Sequence, residues 1–342
     1  MRTSAARGLF DLTLRRPVDF HLLACDTGVV QVDSLRLDVD ASIQRAAEFH
    51  RQLNEKAERE AAFLRAGSAS LVVGDIPPLA FAAAAAAGVP AIALGNFTWD
   101  WIYEGYPLQL AAAPDLVPTI RRAYATASLA LRLPMSGGFA AMERVTRDIP
   151  FIARHSHRDP AGVRRGLGLS EDKPLVLISF GGYGLRDLDT RPLAAIAGYT
   201  FVTTDAPSAE PEAGGWMSPA SVADGRLAYL SERQMYGAGY RYEDLVHAAD
   251  VVVTKPGYGI IAEAIANHTA ILYTSRGPFA EYPVLERNMP RFVRCRFIDQ
   301  TDLLAGRWER HLDRLLGQPP PPEAARTDGA QQAAGLIGEF LN

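Results

Sequence analysis

A glycine loop between an apolar run and a helical segment carries the clearest chemistry in this 342-residue sequence. Residues 251–264 read as a buried strand, the loop Lys255-Pro256-Gly257-Tyr258-Gly259, and a helix containing Glu263. Glycines let the backbone approach a ligand closely, and the free N–H groups at a helix start bind anions such as phosphate. Glu263 follows Gly259 by four residues, so it lies on the same helix face about 5–6 Å further along. A carboxylate there can accept hydrogen bonds from a ribose, and the pattern therefore predicts a nucleoside diphosphate site.

A second glycine-rich loop, Ser179-Phe180-Gly181-Gly182-Tyr183-Gly184, follows the apolar run 174–179. A loop at the carboxyl end of a strand in an α/β domain lies at the ligand crevice. We expect Gly181 and Gly182 there, although ordinary turn chemistry accounts for glycines equally well.

Acidic and aromatic residues in the first half of the chain point to an acceptor side. Asp75 ends a predicted strand and could act as general base on an acceptor hydroxyl, or else cap the helix that follows Pro77-Pro78. Asn96, Trp99 and Asp100 form a polar and aromatic loop suited to stacking on a sugar ring, although packing between domains would use the same residues.

Hydrophobic periodicity supplies the elements that must position these residues. In the first half it predicts strands at 18–24, 70–73 and 91–94, and helices at 40–65, 79–87 and 116–127. In the second half it predicts strands at 174–179, 201–204, 226–230, 251–254 and 270–273, and helices at 242–249, 260–267, 282–288 and 323–341. Strand–helix–strand units require parallel sheets covered on both faces. The expected fold class is therefore α/β, with two Rossmann-like doubly wound domains facing a cleft.

The chain is long enough for two domains at roughly 100–200 residues each. We expect an N-terminal domain at 1–150 and a C-terminal domain at 151–318, the second of which carries the predicted nucleoside diphosphate site. A proline spacer and a terminal helix should follow at 319–342.

Composition excludes several classes of partner. The net charge of −4, with basic residues scattered, argues against nucleic acid. No apolar stretch predicts a membrane span, so we expect a cytoplasmic protein, for which peripheral membrane contact stays open. Cys25 and Cys295 lack ligand spacing, and His155 and His157 lie in a predicted linker, so we expect no metal site.

The segment 242–264 resembles the donor-binding signature of GT-B glycosyltransferases, such as the peptidoglycan lipid-intermediate N-acetylglucosaminyltransferase. The runs 74–78 and 95–103 and the block 254–289 are similar to the glycosyltransferase-like domain that precedes the kinase in plant L-arabinokinase. The likeness extends over most of the chain.

The resemblance implies a role for each residue of the predicted donor site. Gly257, Tyr258 and Gly259 would cradle the diphosphate opposite the Gly181–Gly182 turn, Lys255 would neutralise phosphate charge, Glu263 would hold the ribose, and Arg276 and Glu281 would lie beside the donor sugar. The alternatives are a solvated loop lysine, a surface helix carboxylate, and a surface Arg/Glu pair worth roughly 1 kcal/mol or less.

The resemblance implies a glycosyltransferase that moves a sugar from a nucleotide diphosphate donor to a hydroxyl acceptor, by inversion and without a metal or other cofactor. A nucleotide-sugar epimerase and a non-catalytic nucleotide-sugar-binding protein are the alternatives. The N-terminal domain departs from the family pattern because its first strand and glycine-rich turn are not found. From this we expect an upstream start or a truncated product. Donor base, donor sugar, acceptor and oligomeric state are not readable from these residues.

Overall fold

The computed structural model describes residues 1–14, 16–181, 185, 188, 190–204 and 227–341. Gly182, one of the predicted donor contacts, and Arg226, the predicted start of a strand, lie outside these residues.

The first half of the chain builds a parallel sheet. Its described strands are β1 Arg2–Thr3, β2 His21–Leu22, β3 Val30–Gln31, β4 Leu37–Asp38, β5 Val72–Gly74, β6 Ala91–Phe97, β7 Leu129–Gly137 and β8 Thr146–Asp148. Among them, β5-β6-β7-β8 form the main sheet, with every pair parallel. β1 and β2 make a separate parallel ribbon, and β3 and β4 an antiparallel hairpin. β5 therefore lies at an edge of the main sheet, where Val73 is 46% exposed.

Helices cover this sheet. We call the sheet and these helices together the N-terminal lobe. They are α1 Arg7–Thr13, α2 Val39–Arg51, α3 Leu53–Ala66, α4 Pro78–Ala87, α5 Trp99–Glu104, α6 Pro107–Leu110 and α7 Leu116–Tyr124, with a 3₁₀ turn at Ala140–Val145. The prediction of one long helix over 40–65 was wrong. At Gln52, with φ −98° and ψ 11°, the backbone leaves the α region and the helix divides into α2 and α3.

The second half builds a larger parallel sheet, and with its helices we call it the C-terminal lobe. Its described strands are β9 Leu175–Ile178, β10 Thr200–Thr203, β11 Leu227–Tyr229, β12 Val251–Thr254, β13 Ala270–Tyr273 and β14 Cys295–Phe297. Their order is β11-β10-β9-β12-β13-β14. The chain thus adds β10 and β11 on one side of β9 and then β12, β13 and β14 on the other, which makes the junction of β9 and β12 a topological switch point. Ligands of open α/β sheets bind at the carboxyl ends of the strands that flank such a switch point.

The helices of the second half are α8 Pro160–Gly166, α9 Arg191–Ala195, α10 Glu232–Gly237, α11 Tyr242–Ala248, α12 Tyr258–Ala266, α13 Tyr282–Phe292, α14 Gln300–Leu304, α15 Glu309–Leu316 and α16 Gly329–Gly338. All residues of β9, β12 and β13 are buried, because helices cover both faces of the sheet. The last helix, α16, returns to the N-terminal lobe, where Ala333 packs in the same apolar cluster as Ile92 and Leu131.

The hairpin β3–β4 joins the two lobes. Ser34 Oγ donates a 2.9 Å hydrogen bond to the Phe180 carbonyl oxygen, just before Gly181. Leu35, which is 7% exposed, packs in the C-terminal apolar cluster with Ile178 and Phe180. The hairpin thus holds the N-terminal lobe directly against the carboxyl edge of β9.

Candidate functional site

The start of α12 is open on the side where a ligand would approach. Gly257 is the N-cap and supplies no side-chain hydrogen bond to the first amides of the helix. A Cβ atom added at Gly181, Gly257 or Gly259 would meet no described atom within 4 Å. Gly181 also has a φ of +75°, a conformation that favours glycine. Free amides, a helix dipole and empty space above three glycines are what an anionic group needs.

The structure brings Gly181, in the described part of the first glycine-rich loop, to the same sheet edge as the second loop. β9 and β12 are neighbours, so Gly181 and the loop 255–259 follow adjacent strands at one sheet edge. Lys255 is half-buried at the end of β12. These residues lie at the switch point of the C-terminal sheet.

Glu263 lies one turn beyond the glycines but does not stand free. It is 7% exposed, and its Oε1 accepts a 2.5 Å hydrogen bond from Arg154 Nε. Arg154 Nη1 also lies 3.8 Å from Glu243 Oε2. Burial raises the pKa of Glu263, and the charge of Arg154 opposes this rise. A ribose at this position would therefore share the carboxylate with Arg154.

Arg276 and Glu281 form a largely buried ion pair rather than the exposed surface pair considered as an alternative. Arg276 Nη1 lies 3.0 Å from Glu281 Oε1, and each side chain is 12% exposed. The guanidinium carbon of Arg276 also lies 3.7 Å from the centre of the Phe279 ring. Burial lowers the pKa of Arg276, while Glu281 supports its charge.

The two lobes meet at Tyr258, the first residue of α12. Its ring stacks on Phe97 of β6 with a centroid distance of 5.9 Å and an interplanar angle of 29°. A cavity of about 60 Å³ beside this contact is lined by Asn96 and Met135 from the N-terminal lobe and by Gly259 from α12. Asn96 Nδ2 donates to the Pro134 carbonyl oxygen at 2.9 Å, which fixes its side chain at the cavity. The helix tip thus faces the N-terminal lobe.

Asp75 lies at the carboxyl end of β5 and is exposed to solvent. It does not cap α4, whose N-cap is Pro77 with no side-chain hydrogen bond. Protein atoms nevertheless surround its carboxyl group, so desolvation raises the pKa of Asp75, and the charge of Asp26 adds to the rise. A carboxyl group that is reachable and has a raised pKa suits a general base.

The backbone that carries Asp75 is strained. Ile76 has a φ of 65°, although it is β-branched and 2% exposed. The Tyr124 hydroxyl donates to the Ile76 carbonyl oxygen at 2.8 Å, and a Cβ at Gly95 would lie 2.5 Å from Ile76 Cγ1. Strain of this kind costs about 1–3 kcal/mol and clusters at functional sites.

Asp26 is a site residue that the sequence analysis missed. Its Oδ2 accepts a 3.2 Å hydrogen bond from Trp99 Nε1. The Trp99 ring in turn stacks on Tyr103 at 5.7 Å. Burial raises the pKa of Asp26, against the Trp99 hydrogen bond. Asp26 follows the predicted strand 18–24 just as Asp75 follows 70–73, so the same rule would have found it.

Asp100, which we grouped with Asn96 and Trp99, lies elsewhere. It is 1% exposed, and Arg121 Nε donates a 3.0 Å hydrogen bond to its Oδ2. The structure places this carboxylate in the N-terminal core rather than at the cleft surface.

Within the described residues, no group of three His, Cys, Asp or Glu side chains could hold a metal ion. The described helices are also too short or too polar to span a bilayer.

Solved structures show that this is the GT-B fold. The calicheamicin glycosyltransferase CalG4 matches with a TM-score of 0.56 and 18% identity, over 89% of this chain and 81% of its own. The glycosyltransferase VinC, solved with dTDP, matches with a TM-score of 0.54 and 19% identity, over 87% and 80%. MurG of Acinetobacter baumannii matches with a TM-score of 0.50 and 14% identity, over 97% and 87%. The expected fold class is confirmed.

The sequence is also similar to a curated protein. L-arabinokinase of Arabidopsis thaliana is 30% identical over an alignment that covers 98% of this chain. The chain spans 31% of the length of that relative. No family model matches the sequence. Both resemblances inferred from the sequence motifs are confirmed.

Proposed function

We propose that this chain transfers a sugar from a nucleotide diphosphate sugar to a hydroxyl acceptor, with the donor held in the cleft between the lobes. The observation that carries the proposal is the uncapped start of α12, with open space at Gly181, Gly257 and Gly259. A diphosphate bound there would lie on the C-terminal lobe with its sugar toward the N-terminal lobe, because the start of α12 faces that lobe.

The departing diphosphate needs positive potential. The free amides of α12 and its dipole supply it, together with Lys255 at the end of β12. These groups are in place before the reaction, so they stabilise the developing charge without reorganising. This makes the proposed transfer independent of a metal ion.

Asp75 is the proposed base. It takes the proton of the acceptor hydroxyl as that oxygen bonds to the anomeric carbon. The bond from this carbon to the diphosphate oxygen breaks, and its electron pair leaves with the nucleoside diphosphate. We propose that the acceptor, held at Asp75 on the N-terminal lobe, attacks the face of the anomeric carbon opposite the diphosphate, which the C-terminal lobe holds. The anomeric configuration is therefore inverted.

Gly259→Asp tests the donor site. Gly259 is the second residue of α12, where an acidic side chain stabilises a helix through its dipole. The same carboxylate would repel a diphosphate, and we expect calorimetry with UDP, GDP and dTDP to show at least a roughly tenfold loss of affinity. The melting temperature should stay the same or rise.

Gly198→Asp is the matched control, because Gly198 is exposed in the same lobe and a Cβ there also meets no described atom within 4 Å. Wild-type protein that binds none of the three nucleotides would refute the proposal, as would a Gly259→Asp variant with undiminished affinity. Incubation of donor without acceptor separates transfer from epimerisation, since only an epimerase yields an isomeric nucleotide sugar.

A further inference from the structure

Three polar side-chain atoms close to the start of α12 are buried and have no hydrogen-bond partner among the described residues. They are the hydroxyl oxygens of Tyr106 and Tyr258 and the Nε of Arg276. Tyr106, which comes from the N-terminal lobe between α5 and α6, is only 5% exposed. Folded proteins pair nearly all buried polar atoms, so a group of unpaired ones indicates a site that a ligand completes.

The three atoms belong to one cluster that crosses the cleft. Glu281, Tyr106 and Tyr258 all lie close enough to Arg276 that the ionisation of each would affect its pKa. The corner after α5 packs directly on the loop 276–281, because a Cβ at Gly105 would lie 2.8 Å from Ala280 Cβ. The pair with Glu281 uses Nη1 of Arg276 and leaves its Nε–H free to donate to a ligand.

Burial raises the pKa of Tyr106 to about 12, and Glu281 adds to the rise. The N–H of Ala280 lies near the Tyr106 hydroxyl oxygen and opposes this rise in pKa. It does not meet the distance and angle limits of a hydrogen bond to that oxygen. Burial also raises the pKa of Tyr258. Both phenols therefore stay protonated at neutral pH, and each can donate one hydrogen bond and accept others.

The cluster begins beside the diphosphate site. Tyr258 is the first residue of α12 and lies between the two glycines of the anion loop, and its ring reaches across the cleft to Phe97. In a nucleotide sugar, the sugar is bonded to the outer phosphate. A sugar therefore lies within reach of this cluster when the diphosphate is at the helix start.

We propose that Tyr106 is a specificity-determining residue which, with Tyr258 and Arg276, recognises the hydroxyl groups of a neutral donor sugar. The inference rests on the proposed function. The cluster offers two hydroxyls and one guanidinium N–H, and Glu281 balances the charge of Arg276. Such a set matches uncharged hydroxyls better than a carboxylate, because Arg276 already has a counter-ion.

Tyr106→Phe tests the inference by calorimetry with free UDP, GDP and dTDP and with their glucose conjugates. We expect the affinity for the free nucleotide to change less than twofold. The affinity for the conjugate should fall about threefold to tenfold, which corresponds to one neutral hydrogen bond. Because the lost hydroxyl has no protein partner, the melting temperature should not fall.

Tyr199→Phe is the control, since its hydroxyl donates to Asp313 Oδ1 at 2.6 Å, within the C-terminal lobe. It should lower the melting temperature and leave both affinities unchanged. An equal change in nucleotide and conjugate affinity for Tyr106→Phe, or no change, overturns the inference while the proposed function stands. Wild-type protein that binds no free nucleotide overturns both.

Discussion

The two lobes present the same structural position, the carboxyl edge of a parallel sheet, with opposite chemistry. The C-terminal edge offers backbone amides and glycines, and the acidic side chains of Glu263 and Glu281 there are paired with arginines. The N-terminal lobe offers Asp75, at the end of β5, and Asp26, which follows β2 of the separate ribbon, and the pKa of each is raised. One edge is built to attract an anion and the other to take up a proton.

In the proposed transfer, this difference divides the reaction between two sites. At the C-terminal edge, arginine neutralises each of these carboxylates, so neither opposes a bound diphosphate. In the N-terminal lobe, desolvation raises the pKa of both carboxyl groups, and the charge of Asp26 raises the pKa of Asp75 further, which strengthens Asp75 as a base. Binding and proton transfer should therefore respond to different substitutions.

The largest expected effect is that of Asp75→Asn. The substitution removes the proposed base, so turnover should fall roughly 100- to 10,000-fold. Nucleotide affinity should not change, because Asp75 belongs to the opposite lobe. Rates with donor and acceptor, together with calorimetry, check this. Asp115→Asn, at an exposed aspartate of the same lobe, is the control. If Asp75→Asn kept full turnover, Asp75 would not be the base, and the two edges would not separate binding from proton transfer.

A smaller effect is expected from Arg154→Leu, which leaves Glu263 buried without its partner. Unfolding in urea should show a loss of about 1–3 kcal/mol, since Arg154 is itself partly exposed. The pKa of Glu263 is raised by burial, and without Arg154 the pKa rises further. Charging a group whose pKa is raised in the folded state costs stability as the pH rises, so the loss should be greater at pH 8 than at pH 5.

Adding Glu263→Gln to Arg154→Leu supplies the control. The neutral amide removes the buried charge, so the double variant should recover part of the stability at pH 8. If the single variant shows the same stability as the wild type at both pH values, the ion pair does not neutralise Glu263.

The smallest expected effect is a shift in pH dependence for Asp26→Asn. Activity should rise with pH as Asp75 loses its proton, and the charge of Asp26 raises the pKa of Asp75. Removing that charge lowers this pKa, so the acid limb of the turnover profile should move to lower pH. The indole of Trp99 can still donate to the amide oxygen. An unmoved or upward-shifted limb would show that the two aspartates do not interact.

Local patterns predicted the elements of the C-terminal lobe well. The strands at 251–254 and 270–273 were predicted with the bounds that the structure shows, and α12 begins two residues earlier than expected. Continuous apolar runs bounded by glycine and proline identify buried parallel strands without tertiary information. The division of the helix at Gln52 was missed because amphipathic periodicity continues across it.

The sequence did not predict the hydrogen-bond and ion-pair partners of the site's side chains. Glu263 was predicted as a ribose ligand, yet its hydrogen-bond partner Arg154 is 109 residues away. The surface-pair alternative for Arg276 and Glu281 failed because both side chains are buried at the lobe contact. Nothing in the pattern of residues 30–38 indicated that Ser34 would bond to Phe180, 146 residues further along the chain.

The amino-acid sequence by itself determined a helix start with free amides next to glycines, because backbone conformation at a strand–loop–helix junction depends on neighbouring residues. Only the tertiary structure decided which carboxylates are neutralised and which are left as bases. Desolvation and charge pairing depend on groups that distant segments bring within a few ångströms, and no local pattern records them.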